Sequence, residues 1–256
     1  MLDLVARQGS ISLADLTQEL GVSPATARRD LTELADQRLL LRTHGGATVA
    51  QGRTELPVAL RGAQSAEAKR AIARAMAARV PSGRHVVAIS GGTTTAGVAR
   101  ELAWRRDLTV VTNAVTVALL LSERGHVRVV MTGGFLRPES LELVGTLAES
   151  TFTAVDVGTA ILGADGVSSV AGVTTHDETE ARTNHAMVAR AQRTVVVADG
   201  SKVGRVALAQ MAGLDQVAAL VTDASADPEE LERIRSAGVE VVVARIRGAA
   251  VGTVEP

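Results

Sequence analysis

The stretch HVVAISGGTTTAGVAREL, residues 85–102, decides the fold. Its opening, 85–90, is a short apolar run rich in Val and Ile with no polar alternation, the pattern of a strand buried on both faces. Its close begins an amphipathic helix over 94–104. Between them lies Ser90-Gly91-Gly92-Thr93-Thr94-Thr95. A strand, a glycine-rich loop and a helix in that order form one βα unit of a doubly wound sheet, in which ligands sit beyond the C-terminal ends of the strands. Two glycines let a ligand approach the backbone. The free N–H groups of the helix start, with three hydroxyls, make a cradle for a phosphate. The Gly-Lys-Ser/Thr of a P-loop and the GxGxxG of a dinucleotide site are both missing, so a small phosphate ester is favoured over a nucleotide.

The same alternation continues downstream. Further strands are expected at 108–113, 127–133, 157–163, 193–199, 217–223 and 239–245, with helices at 180–191 and 229–237 between them. A mostly parallel, Rossmann-like α/β domain over 66–256 follows. Polar or glycine-rich groups end several of its strands: Thr112-Asn113, Thr132-Gly133-Gly134, Gly163-Ala164-Asp165-Gly166 and Asp199-Gly200-Ser201-Lys202, joined by Asp177-Glu178-Thr179-Glu180. In a parallel sheet such loops converge on one rim. Each has a plainer use, since Thr-Asn can cap a helix, Gly-Gly can turn a chain and Lys202 can be a surface lysine. Their coincidence is what points to a ligand. Upstream, 66–80 carries an apolar stripe of Ala71, Ile72, Ala75, Met76 and Val80, and 51–65 is polar, broken by Pro57 and read as a linker.

The first fifty residues read differently. Residues 1–8 form a helix ended by Gly9. Ser12 N-caps a second helix with Leu13, Leu16 and Leu20 on one face, closed by Gly21. Ser23-Pro24 is an N-cap followed by proline at the first helical position. The third helix places Ala27, Leu31 and Leu34 inward. Ser23, Pro24, Ala25, Thr26, Arg28 and Arg29 are then left for the major groove and its phosphates, the layout of a helix-turn-helix. Leu39–Arg42 and Ala47–Val49 around Gly45-Gly46 form a hairpin wing that carries Arg42 and His44. Asp30 and Glu33 could instead make Arg28 and Arg29 an ordinary solvated face.

Composition narrows the classes. The net charge of −1 lends no support to nucleic-acid binding, so the arrangement of charges must carry that case. Trp104, Phe135 and Phe152 are the whole aromatic set, too few to stack on unpaired bases, which favours duplex DNA. There is no cysteine, and the five histidines lack metal-ligand spacing, so neither a metal nor another cofactor is expected. The longest apolar run, Val117–Leu121, is too short to span a bilayer, and the expected location is cytoplasmic.

The runs SPATARRDLTEL (23–34) and LLLRTHGGA (39–47) resemble the helix-turn-helix and wing of the DeoR family of bacterial transcriptional regulators. SGGTTTAGVAREL, VVTNAV, MTGGFLRPESLELVG, ETEARTNHAM and VVVADGSKVGR resemble its C-terminal sensor domain. That domain is similar in fold to ribose-5-phosphate isomerase, glucosamine-6-phosphate deaminase and the CoA transferases. The resemblance implies that Gly92, Thr93 and Thr94 hold the phosphate of an effector with Lys202 as charge partner. It also implies that Thr112, Asn113, Asp165, Asp177 and Glu180 line the sugar side. Against the family pattern, position 27 is Ala rather than a larger aliphatic, position 90 is Ser where many members have Asp, position 184 is Asn where some have Lys, and the first helix starts several residues late.

The expectation is a homo-oligomeric repressor of a sugar-catabolism operon, a dimer or tetramer on operator DNA and released by a phosphorylated sugar. The effector-binding set is Ser90, Gly92, Thr93, Thr94, Thr95, Thr112, Asn113, Gly133, Asp165, Asp177, Glu180 and Lys202. A sugar-phosphate isomerase or deaminase of the same fold is the rival. Asp165, Asp177, Glu180 and Asp199 are available for proton transfer, but no complete catalytic signature is present and an enzyme has no use for the helix-turn-helix. A purely architectural DNA-binding protein leaves the Gly/Thr loops unexplained.

Overall fold

A computed structural model describes residues 1, 4–5, 8–36, 40–48, 57–62, 64–123 and 126–246. The chain divides into two compact units, Met1–Ala66 and Glu67–Pro256.

In the first unit Gly9, at φ 73°, turns the chain into β1 (Ser10–Ser12). Ser12 ends that strand and caps α1 (Leu13–Leu20), its Oγ accepting from the Asp15 N–H at 3.1 Å. Gly21 closes α1 in the left-handed conformation that costs glycine nothing. Ser23 then caps α2 (Pro24–Asp36), its Oγ accepting from the Thr26 N–H at 3.1 Å. Strands β2 (Leu41–Thr43) and β3 (Gly46–Thr48) complete an antiparallel sheet of order β1-β3-β2. The expected Gly45-Gly46 turn is displaced by one residue: His44 and Gly45 form it, and Gly46 already pairs in β3. A Cβ on Gly46 would lie 2.1 Å from the Ile11 carbonyl oxygen, so this glycine is what lets β1 lie against β3. Ile11, Leu16, Leu31, Leu40 and Ala47 form the core, with Ala27 also fully buried.

The expected first helix lies partly outside the described residues, and Leu39 and Val49 of the wing lie wholly outside them. So do residues 51–56 and 63 of the expected linker. Within the rest of it, Pro57 starts a short helix, α3 (Val58–Arg61), rather than irregular chain, its fixed φ suiting a helix entrance.

In the second unit α4 (Ala66–Ala77) leads to β4 (His85–Ile89), α5 (Thr93–Leu102), β5 (Leu108–Thr112), α6 (Val115–Ser122) and β6 (Arg128–Met131). A hairpin of β7 (Phe135–Arg137) and β8 (Glu142–Val144) precedes α7 (Thr146–Thr153) and β9 (Val157–Gly163). Then come β10 (Gly166–Ser168), β11 (Gly172–Thr175), α8 (Glu178–Ala189), β12 (Ala191–Val197), β13 (Ala209–Ala212), β14 (Ala219–Asp223), α9 (Pro228–Ser236) and β15 (Glu240–Ala244). Seven strands form one wholly parallel sheet of order β15-β14-β12-β9-β4-β5-β6. They are the seven runs expected from the apolar pattern. The β7–β8 hairpin, the antiparallel sheet β10-β11-β13 and helices α6 and α7 were not anticipated.

Alternate residues of each strand feed opposite faces. Val87, Ile89, Ile161, Val195 and Val197 pack with Ile72 and Met76 of α4, Val98 of α5 and Val117 of α6. Ala88, Ala160, Leu162 and Val196 pack with Phe152 of α7, Met187 of α8 and Ile234 of α9. Such burial on both faces explains why the strands read as unbroken apolar runs. The chain winds from β4 toward β6 in one direction and from β9 toward β15 in the other. The boundary between β4 and β9 is therefore the topological switch point, where open α/β sheets bind ligands.

Candidate functional site

The DNA-side candidates form one surface. Ser23, Pro24, Ala25, Thr26, Arg28 and Arg29 are all exposed on the first two turns of α2, opposite buried Ala27 and Leu31. Arg42 and His44 are exposed on the wing. Arg42 Nη1 donates to Thr32 Oγ1 at 2.9 Å, and Thr32 donates to the Arg28 carbonyl at 2.8 Å, so the wing is tied to α2 beside the paired arginines.

At the switch point the loop after β4 and the loop after β9 are stitched together. The Gly163 N–H donates to Ser90 Oγ at 2.9 Å, and a Cβ on Gly163 would meet the Gly91 carbonyl oxygen at 2.8 Å. Ser90 is thus 1% exposed with its hydroxyl committed to the sheet. Thr95 is likewise fully buried, its Oγ1 donating to the Gly92 carbonyl at 2.9 Å. These two hydroxyls serve the loop rather than a ligand. Gly92, at φ 123°, opens α5 with no side-chain cap among the described residues, which leaves the N-terminal N–H groups beside half-buried Thr93 and buried Thr94 at the C-terminal end of β4, on the switch point.

The neighbouring strand ends contribute unequally. Thr112 is buried and spent, its Oγ1 donating to the Ile89 carbonyl at 2.6 Å and accepting from the Ala114 N–H at 3.1 Å. Asn113 is buried and donates through Nδ2 to Asn184 Oδ1 at 3.3 Å. Gly133 is exposed, and it is Gly134, at φ 128°, that lets the chain pass over the Val144 carbonyl. Asp165 lies 3.1 Å from Thr175 Oγ1 and pairs with Lys202 at 3.6 Å. Asp177 caps α8 by accepting from the Glu180 N–H at 2.8 Å. Glu180 accepts from Thr175 Oγ1 at 2.6 Å, and burial pushes its carboxyl up against the opposing pull of Thr175 and Arg137.

Several residues at this rim went unnoticed in the sequence. Arg137 of β7 pairs with Asp177 at 3.5 Å and Glu180 at 3.1 Å. Glu142 of β8 is 2% exposed, accepts from the Gly91 N–H and lies 3.5 Å from Asn184 Nδ2. Burial and then the charge of Glu180 push the Glu142 carboxyl well above the usual range, while the Gly91 N–H pulls the other way. Glu142 also fills the space a Cβ on Gly91 would need, so that glycine accommodates Glu142. The hairpin reaches this position by docking on the β5–α6 turn, through Leu143 N–H to the Asn113 carbonyl (2.7 Å) and Val115 N–H to the Leu141 carbonyl (3.0 Å). On the same rim, Lys69 of α4 sits 4.0 Å from Asp199. The one signal for Glu142 was a lone acid between apolar neighbours in LELV, on the same face as Val144. A separate cleft of about 480 Å³, bounded by Gln192, Arg193, Asp215 and Gly238, lies at the opposite end of the sheet, by the starts of β12 and β14. Among the described residues no helix is long and apolar enough to cross a membrane.

Comparison with known proteins finds matches for both halves of the chain. Residues 1–53 match the DeoR-like helix-turn-helix domain, and residues 64–224 match the DeoR C terminal sensor domain. The chain is 38% identical to the HTH-type transcriptional regulator GlpR of Haloferax volcanii, over 94% of each chain. It is 35% identical to the glycerol-3-phosphate regulon repressor of Escherichia coli, over 88% of each, and 34% identical to a putative aga operon transcriptional repressor of that species, over 95% of this chain and 91% of that one. Among solved structures, ribose 5-phosphate isomerase A of Methanocaldococcus jannaschii is similar at 18% identity over 53% of either chain, with a TM-score of 0.40. With the relatives matched over nearly their whole length and both domains present in order, the chain belongs to the DeoR family of helix-turn-helix transcriptional regulators.

Proposed function

We propose that this regulator represses a sugar-catabolism operon and releases its operator when a phosphorylated sugar enters the crevice between β4 and β9. In this reading residues 1–50 bind DNA, 51–65 link, and 66–256 sense. Arg28 and Arg29 read the major groove, and Ser23 to Thr26, Arg42 and His44 hold phosphates. The observation that carries the sensing half is the uncapped start of α5, with Thr93 and Thr94, facing the switch point. Lys202 supplies a cation, and Asn113, Asp165, Asp177 and Glu180 supply hydrogen-bonding groups for the sugar. The effector acts by favouring an arrangement that DNA does not, since equal affinity for both arrangements would shift nothing. Exposed Met131, Phe135, Leu136 and Leu147, on edge strand β6, the hairpin and α7, support self-association. The expected site of action is the cytoplasm.

Fluorescence anisotropy on DNA from the promoter of the chain's own gene tests this. Binding is expected to weaken steeply with salt, to be lost in the Arg28→Ala/Arg29→Ala variant with its fold intact, and to be reversed by a phosphorylated sugar. Wild-type affinity in that variant would overturn the assignment of α2. Rapid turnover of ribose 5-phosphate or glucosamine 6-phosphate by the purified chain would favour an enzyme.

A further inference from the structure

The β7–β8 hairpin belongs to the crevice at one end and to the surface at the other. Cross-strand partners share a face, so Phe135 with Val144 and Arg137 with Glu142 line one face of the ribbon. Along that face Glu142 is buried on the Gly91 N–H and Arg137 pairs with Glu180, while Phe135 is 80% exposed. Around Phe135 the apolar side chains are contiguous. A Cβ on Gly145 would lie 3.8 Å from the Phe135 ring, and one on Gly133 would lie 3.5 Å from Leu147 Cβ. Exposed Leu136, Leu147 and Met131, the last residue of edge strand β6, complete the group. Together the four expose about 450 Å², the size of a functional patch and close to the apolar share of the roughly 800 Å² that each partner gives a standard interface. A second observation concerns the backbone. Gly134 at φ 128° and Gly145 at φ 94° bracket the hairpin, and between them Leu141 sits at φ 55°, where a leucine is disfavoured. Docking is what holds it there, its carbonyl accepting the Val115 N–H at 3.0 Å.

We propose that a second copy of this chain docks on Met131, Phe135, Leu136 and Leu147, and that the hairpin couples this contact to the crevice, so that filling the crevice loosens the pair. This rests on the self-association and the phosphate site proposed above, and adds where the copies meet and what links the two. The occupant is a second copy because each chain offers one α2. A helix-turn-helix reads two half-sites related by a two-fold axis, and an isologous contact supplies that axis. The link follows from the shared face. A ligand that displaces Arg137 or Glu142 carries Phe135 with them, since a paired ribbon between two glycines swings as a body. Coupling is reciprocal, so a single chain then holds the ligand more tightly than a paired one.

Sedimentation of the full chain without DNA, beside its Phe135→Glu/Leu147→Glu variant, reads the contact. Wild type is expected to associate with a Kd of about 1 μM or below, and the variant about 100-fold more weakly at an unchanged melting temperature, since both side chains are exposed. Phe135→Ser/Leu147→Ser serves the same comparison where the charged variant does not fold. A variant that associates like wild type overturns the contact, as does a wild type still monomeric at about 100 μM. Isothermal titration with inorganic phosphate then reads the coupling. The variant is expected to bind phosphate about fivefold tighter than wild type or better. Equal or weaker binding by the variant overturns the coupling and leaves the proposed function standing. Phosphate bound by neither overturns the sensing site and the coupling together, while sedimentation still decides the contact.

Discussion

Replacing Ser90 with Ala removes one oxygen and asks whether this residue serves the fold or the ligand. The hydroxyl is 1% exposed, accepts the Gly163 N–H at 2.9 Å and lies 3.3 Å from the Gly91 carbonyl oxygen. Alanine fits the same space, so the loss is the orphaned Gly163 N–H at the β4–β9 junction. A buried unsatisfied donor costs about 1–3 kcal/mol; removing the hydroxyl's own desolvation offsets part, leaving about 1–2 kcal/mol. In a unit of this size that lowers the melting temperature by about 2–8 °C. Calorimetry and urea unfolding with an unchanged m-value measure it, and titration with inorganic phosphate is expected to show unaltered affinity. An unchanged melting temperature together with a large loss of phosphate affinity would refute the reasoning, because the hydroxyl would then belong to the ligand.

Gly46→Ala drives a Cβ against the Ile11 carbonyl and Ser12 Cα. It is expected to cost the N-terminal unit about 3 kcal/mol by overpacking and to abolish DNA binding by anisotropy, while phosphate binding persists. Glu142 has its carboxyl raised by burial and Glu180, so its contribution to stability is full below the ordinary carboxyl range and is lost as pH rises through the raised value. Glu142→Gln is therefore expected to gain on wild type progressively from pH 5 to pH 8 in urea melts; a constant difference would contradict the burial argument. Arg105 donates to Asp107 through Nε and Nη2, each at 2.7 Å, and holds its carboxyl at about 2. The stabilisation from this pair is present above the ordinary Asp range and is lost as pH falls toward that value. Arg105→Ala is expected to return the Asp107 titration, followed by NMR, to the ordinary range.

The main sheet was legible because parallel strands buried on both faces must be apolar throughout, and seven Val-rich runs satisfy that. The excursions were not. Phe135 and Leu136 of β7 are exposed, so the hairpin carries no inside-outside alternation to read. Helix α6 is apolar nearly all round, and its sequence VTVALLLS has no polar face to mark its period. Ser90 and Thr95 look like ligand groups beside Thr93 and Thr94, because sequence shows hydroxyls but not which way each turns on the first helical turn. Glu142 reaches Gly91 across 51 residues of chain, a contact set by hairpin docking that no local pattern encodes. Gly46 was legible as a turn residue, yet its reason is β1, a three-residue strand on the far side of two helices.

The most direct test of the central account is release from operator DNA by the effector in the Thr93→Ala/Thr94→Ala/Lys202→Ala variant. A panel of phosphorylated sugars and amino sugars, followed by anisotropy, is expected to dissociate wild-type chain from its operator with at least one member. The variant is expected to bind the same DNA with unchanged affinity and to stay bound at every concentration that releases wild type. Release of the variant at wild-type concentrations would contradict the placement of the sensing site at the start of α5, and a wild type that no phosphorylated sugar releases would contradict the mechanism.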